Sequence, residues 1–161
     1  MGYPCGYLGD PKHQCKCSPM AVEKYLGRLS GPLLDRIDLH LEVPSVPYEE
    51  LSKLTDGTSS RTMRESVDKA RAVQAERFGR AGGVNSRMTP REMRKYAVPD
   101  AGGRSLLQTA MDSLGLSARA HDRILRVART IADLEGSENL SEGHISEAIN
   151  YRTLDRKLWE R

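Results

Sequence analysis

The chain has 161 residues, enough for one domain or for a small domain carrying part of another. With 38% hydrophobic residues and an aromatic complement of six Tyr, one Phe and one Trp, a core must come from Leu, Ile, Val, Ala and Met, which suits helices better than a sheet sandwich. A net charge of +3 compels no nucleic-acid partner, and no apolar run approaches the roughly 18 residues of a membrane span.

Residues 1–18 read as a Gly/Pro/Cys loop. Ser18 and Pro19 then supply a cap and a first-turn proline, and Val22, Tyr25, Leu26 and Leu29 follow at helical spacing. In "GPLLDRIDLH", residues 31–40, Pro32 opens a short turn that ends near Asp35. Past it, Ile37, Leu39, Leu41 and Val43 share one face of an expected strand that Pro44 stops. A lone strand cannot satisfy its own backbone groups, so it must join a sheet supplied from elsewhere or expose an edge. Residues 44–60 read as a linker, with one helical turn at 48–53.

From there helices dominate. Ser60 is expected to cap a helix to about Phe78, with Met63, Val67 and Ala70 facing inward and Gly79 as terminator. The stretch "RAGGVNSRM" reads as a flexible loop. Thr89 and Pro90 start a short helix to Tyr96, and Leu106, Leu107, Ala110, Met111 and Leu114 mark the next, stopped by Gly115. Ser117 caps a long helix to about Leu134, ended by Gly136. Ser141, with His144 three residues on, is half of a capping box that introduces the last helix. Residues 61–161 are therefore expected to form a bundle of four or five helices, without an internal repeat.

Three groups of residues could carry chemistry. Arg119, Arg123 and Arg126 lie at i, i+4 and i+7, roughly opposite the Ile124, Ala128, Ile131 stripe. The plain reading is a solvated basic face; the functional one is phosphate or DNA contact, for which the planar fork of arginine is suited. Arg119 stands apart, because an arginine in a first helical turn opposes the helix dipole, whereas a bound anion there would satisfy both. Arg36, at the seam of turn and strand, has two readings. It is either half of a surface ion pair with Asp35, worth little, or a charge presented across a subunit boundary.

Cys5, His13, Cys15 and Cys17 are zinc ligands in kind. Their spacing, C-x7-H-x-C-x-C, is less persuasive than paired C-x-x-C knuckles, and free thiols in a loop are the favoured reading. Three cysteines make no disulfide framework and favour a reducing cytoplasm. Catalytic triads and carboxylate pairs find no support: Asp38 and His40 share a strand face without a nucleophile, and His121 and His144 read as ordinary helix residues. There is no G-x-x-x-x-G-K-[ST], no G-x-G-x-x-G and no G-x-S-x-G, and the chain starts abruptly, as a fragment does.

The segments "PCGYLGD", "CKCS", "RLSGPLLDRIDLHLEVP", "LGLSARAHDRILRVARTIADLEGSENLSEGHISEAINYR" and "LDR", in this order, closely resemble the C-terminal part of the bacterial magnesium chelatase-like AAA+ ATPases, the YifB/ComM type. The resemblance covers essentially the whole chain. It implies a mainly helical fold: the AAA+ lid bundle over 61–161, preceded over 1–60 by a remnant of the α/β ATPase core with one strand. It also implies that the phosphate loop, the Walker B acids and the sensor asparagine lie upstream.

By the same resemblance Arg36 is similar to the arginine finger that reaches the γ-phosphate of a neighbouring subunit. Arg119 is similar to the sensor-2 arginine that touches ATP in its own. Tyr3 stands where the family has the first cysteine of its cluster, which weakens the zinc reading. The intact protein is expected to be an ATP- and Mg2+-dependent cytoplasmic ring, a hexamer acting on DNA during recombination, with no membrane association. The chain alone is expected neither to bind ATP tightly nor to hydrolyse it. Two alternatives stand beside this: a magnesium chelatase subunit serving porphyrin synthesis, and a helical DNA-binding or adaptor module using the arginine face.

Overall fold

Most helices here begin where a short polar side chain closes the first turn. Ser18 Oγ accepts from Ala21 N–H at 3.3 Å and opens α1 (Pro19–Leu26). Ser59, one residue before the expected cap, accepts from Thr62 N–H at 3.1 Å and opens α2 (Ser60–Phe78). Thr89 and Glu92 close a reciprocal capping box at the head of α3 (Pro90–Tyr96). Asp100 accepts from Gly103 N–H at 2.7 Å to start α4 (Ala101–Leu114), and Ser117 from Ala120 N–H at 3.1 Å to start α5 (Ala118–Glu135). Before α6 (Glu142–Asn150), His144 Nδ1 accepts the Ser141 N–H at 2.9 Å, so an imidazole takes the place of the usual Glu or Gln.

The structure is a computed structural model that describes residues 5–7, 13–28, 33, 36–41, 43, 46, 48–49, 57–80 and 82–152. Leu29, Asp35 and most of the linker expected over 44–60 lie outside the described residues, although Tyr48 and Glu49 are helical, in keeping with the expected turn.

Helix α5 is the axis of the bundle. It packs against α2, α3, α6 and a single 3-10 turn at Asn85–Arg87, while α4 packs on α6. The stripe read from the sequence is the buried one: Ile124 and Ala128 are fully enclosed and Ile131 is buried, with Ala132, Leu107, Leu140 and Ile145 around them. Gly115 and Gly136 end α4 and α5 at φ 58° and 73°, a left-handed conformation that costs glycine little and other residues more. Asp100 N–H donates to Leu140 O at 2.9 Å beside a parallel bridge of Pro99 with Leu140, which joins the two loops at that end of the bundle. The described bundle thus has five helices from Ser60 onward, within the expected four or five.

Two expectations are corrected. Met63 and Val67 do not face inward; they are 55% and 49% exposed, and α2 buries only Ala70 and Gln74. Burial in α2 begins in its second half, where Ala70 and Gln74 are buried and Arg77 pairs with Asp133 of α5, while its first two turns are exposed. The stretch 82–88 is not a loose loop. Asn85 is 1% exposed and Met88 2%, because the Asn85 amide bonds Asp133, Thr130 and Arg77.

The expected strand is not found: among the described residues of 37–43 none is in a strand, and the backbone bends at Asp38. The expected apolar face is not buried: Ile37, Leu39, Leu41 and Val43 are all exposed, as is Asp38, and the segment meets the bundle through single groups. His40 is buried and its N–H donates to Tyr151 O at 2.7 Å; Arg152, 1% exposed, donates from Nη1 to Ile37 O at 3.0 Å; and Asp38 pairs with Arg123.

Candidate functional site

Arg36 is exposed at the end of a turn whose backbone N–H donates to Leu33 O at 3.0 Å. Arg119 is exposed in the first turn of α5, one residue past the Ala118 that begins the helix. Among the described residues Arg119 has no carboxylate partner. Its charge sits in the first turn of an 18-residue helix, where the Ser117 side chain caps the Ala120 N–H and the positive end of the helix dipole favours an anion.

The other two arginines of the expected stripe are committed within the protein. Arg123 pairs with Asp38, and Arg126 donates from Nη2 to Met88 O at 3.0 Å. The face opposite the core, expected to be solvated, is covered there by residues 36–41 and by the turn at 85–88. Asp38 therefore ties the segment two residues past Arg36 to the helical turn that follows Arg119. Sequence reasoning assigned no role to Asp38 or Arg152. The signal was present only as even-numbered polar residues in the strand alternation, which pointed toward solvent in a chain read without its partners.

His144 is buried, with Nε2 2.8 Å from Glu135 Oε2, and so links α6 to the end of α5. His121 Nδ1 lies 3.1 Å from Oδ1 of its neighbour Asp122.

The cysteines come together although their spacing argued otherwise. Cys5 Sγ lies 3.4 Å from Cys15 Sγ, and the sulfurs of Cys5, Cys15 and Cys17 are all within 4.8 Å of one another. The Tyr7 N–H and the thiols of Cys17 and Cys15 point at Cys5 sulfur and bring its pKa down from 9.0 to about 7. The Cys17 thiol, hydrogen-bonded to that sulfur, is pushed up to about 11. His13 is not in the sulfur cluster; its ring lies against Tyr7, with centroids 4.8 Å apart and planes 33° from parallel.

Comparison with known proteins places this architecture. Residues 57–152 match the magnesium chelatase subunit ChlI C-terminal family, and residues 2–51 match the magnesium chelatase subunit ChlI family. The chain belongs to the magnesium chelatase-like family. It is 42% identical to the competence protein ComM of Haemophilus influenzae over 144 residues, which are 89% of this chain and 28% of that protein. It is also 42% identical to the uncharacterized protein YifB of Salmonella typhimurium and 41% identical to YifB of Escherichia coli, with the same coverage. The chain thus spans less than a third of the length of these relatives. No helix among the described residues is long and apolar enough to cross a membrane.

Proposed function

We propose that this chain supplies the arginine finger and the helical lid of an ATP-driven ring motor of the AAA+ class. Membership of the magnesium chelatase-like family supports the class, and the exposed Arg119 in the first turn of α5 is the observation that carries the reading. In it, Arg119 contacts the phosphates of ATP bound to its own subunit. Arg36 reaches the γ-phosphate held by a neighbouring copy and stabilises the charge that develops during transfer. ATP and Mg2+ are held by the phosphate loop and acids of the family's ATPase core. The share of this chain is the two guanidinium groups and the scaffold that aims them.

The Asp38–Arg123 pair gives the scaffold a way to couple its parts. A lid that shifts when Arg119 engages phosphate also moves the segment that carries Arg36. The substrate we propose is branched DNA during recombination, with a hexameric ring as the working form; the word "competence" in the name of the Haemophilus influenzae relative supports it. Metal insertion into a porphyrin, the reaction suggested by the family name, is the second reading. ATP-dependent movement of a DNA junction by the full ring, without porphyrin metallation, separates the two. A free-standing DNA-binding module has less support, since Asp38 and the Met88 carbonyl engage two of its three arginines.

Arg119→Ala in a ring that carries the phosphate loop tests the sensor role. It is expected to weaken ATP binding within each subunit while the unfolding midpoint of the bundle stays put, because the side chain is outside the core. Unchanged affinity for ATP sinks the assignment.

A further inference from the structure

The three sulfurs lie in the spacing that a bound cation would impose. Zinc–thiolate bonds of about 2.3 Å put two sulfurs of one tetrahedral ion about 3.8 Å apart. Cys5 and Cys15 sulfurs are 3.4 Å apart and none of the three is beyond 4.8 Å from another. Rotamer adjustments that change these separations by up to about 1 Å would bring all three into a single coordination sphere. The pair at 3.4 Å is too far apart for an S–S bond of about 2.05 Å.

We propose that Cys5, Cys15 and Cys17 form a three-thiolate site for a borderline-soft divalent cation, zinc, with the fourth tetrahedral position filled by water or a small anion. Thiolate sulfur selects zinc over magnesium or calcium, which take oxygen ligands. His13 is not the fourth ligand: its ring is engaged on the face of Tyr7, outside the sulfur cluster. The cation would close the loop between residues 5 and 15. Cys17 is bonded directly to Ser18, whose side chain caps α1, so the same ion would fix the start of that helix. This site stands apart from the two arginines and does not depend on the motor reading.

The test uses the full chain, reduced, stripped of metal and titrated with zinc against a chromophoric chelator. One zinc per chain is expected. Each of Cys5→Ser, Cys15→Ser and Cys17→Ser is expected to lose more than the roughly 10–100-fold in affinity that follows loss of an outer-shell partner. Cobalt in place of zinc is expected to give a thiolate charge-transfer band and a tetrahedral visible spectrum, both retained in His13→Ala. The bundle core lies at residues 88–148, so unfolding of the serine variants doubles as a control that they are folded. Affinity unaltered by any single serine substitution, or a tetrahedral cobalt spectrum lost in His13→Ala, overturns the assignment.

Discussion

Asp133 shows how single residues fix this bundle. Its Oδ2 accepts from Arg77 Nη1 and Asn85 Nδ2, both at 2.7 Å, and its Oδ1 accepts from Arg129 Nε at 3.1 Å and from Arg77 Nη2. Burial pushes the carboxyl up, but the hydrogen bonds from Arg77 and Asn85 and the two guanidinium charges outweigh it, so Asp133 titrates below its ordinary 3.8. A carboxyl depressed in this way binds fewer protons in the folded state. Its stabilisation is present above the unfolded pKa of about 3.9 and is lost as pH falls through the folded one. Asp133→Asn is therefore expected to cost about 3–5 kcal/mol at neutral pH, because two buried guanidiniums lose their counter-charge. It is also expected to flatten the acid limb of the stability curve. Denaturant melts of both forms from neutral to strongly acidic pH check this, and parallel acid limbs would contradict it. None of this network was legible in the sequence. Arg129 and Asp133, four apart on a helix, look like any solvated pair, and Asn85 follows two glycines as a loop residue does.

Elements were more legible than residues, for a local reason. A cap and the turn it closes lie within three or four residues, so Ser18, Thr89, Ser117 and Gly136 could be read one by one. Facing is not local. Met63 and Val67 sit at helical spacing with Ala70, yet only Ala70 of the three is buried, and nothing within α2 reveals where its neighbour stops. The same holds for residues 37–41, where the apolar side chains are exposed and His40 is the buried one, held by contacts with Tyr151, Arg152 and Arg123 along the segment. Where periodicity and environment agree, as in α5, the consequence is large. Ile124 is fully buried, and Ile124→Ala is expected to destabilise the protein by about 2–5 kcal/mol. Leu134→Ala at an exposed position of the same helix is expected to cost well under half of that. Equal midpoint shifts for the two in urea would show that the stripe is not the core.

On the scale of the molecule, contacts of Asp38, His40 and Arg152 join residues 36–41 to the helical bundle, and each candidate arginine stands exposed on one of the two parts. The candidate roles were legible only through the order of several motifs, since an isolated arginine in a turn says little. That the three sulfurs come together was not legible, because spacing along a loop does not report how the loop folds back. The account as a whole requires Arg36 to act on nucleotide held by another copy. Rings assembled from Arg36→Ala subunits mixed with subunits that lack the Walker B acids measure this directly. Neither homogeneous ring is expected to turn over ATP, with Arg36→Ala alone slower by about 10³–10⁵. Mixed rings should regain part of the activity, at the junctions where an intact finger meets an intact site. Mixed rings as inactive as their parents, or Arg36→Ala rings that hydrolyse ATP normally, would contradict the account.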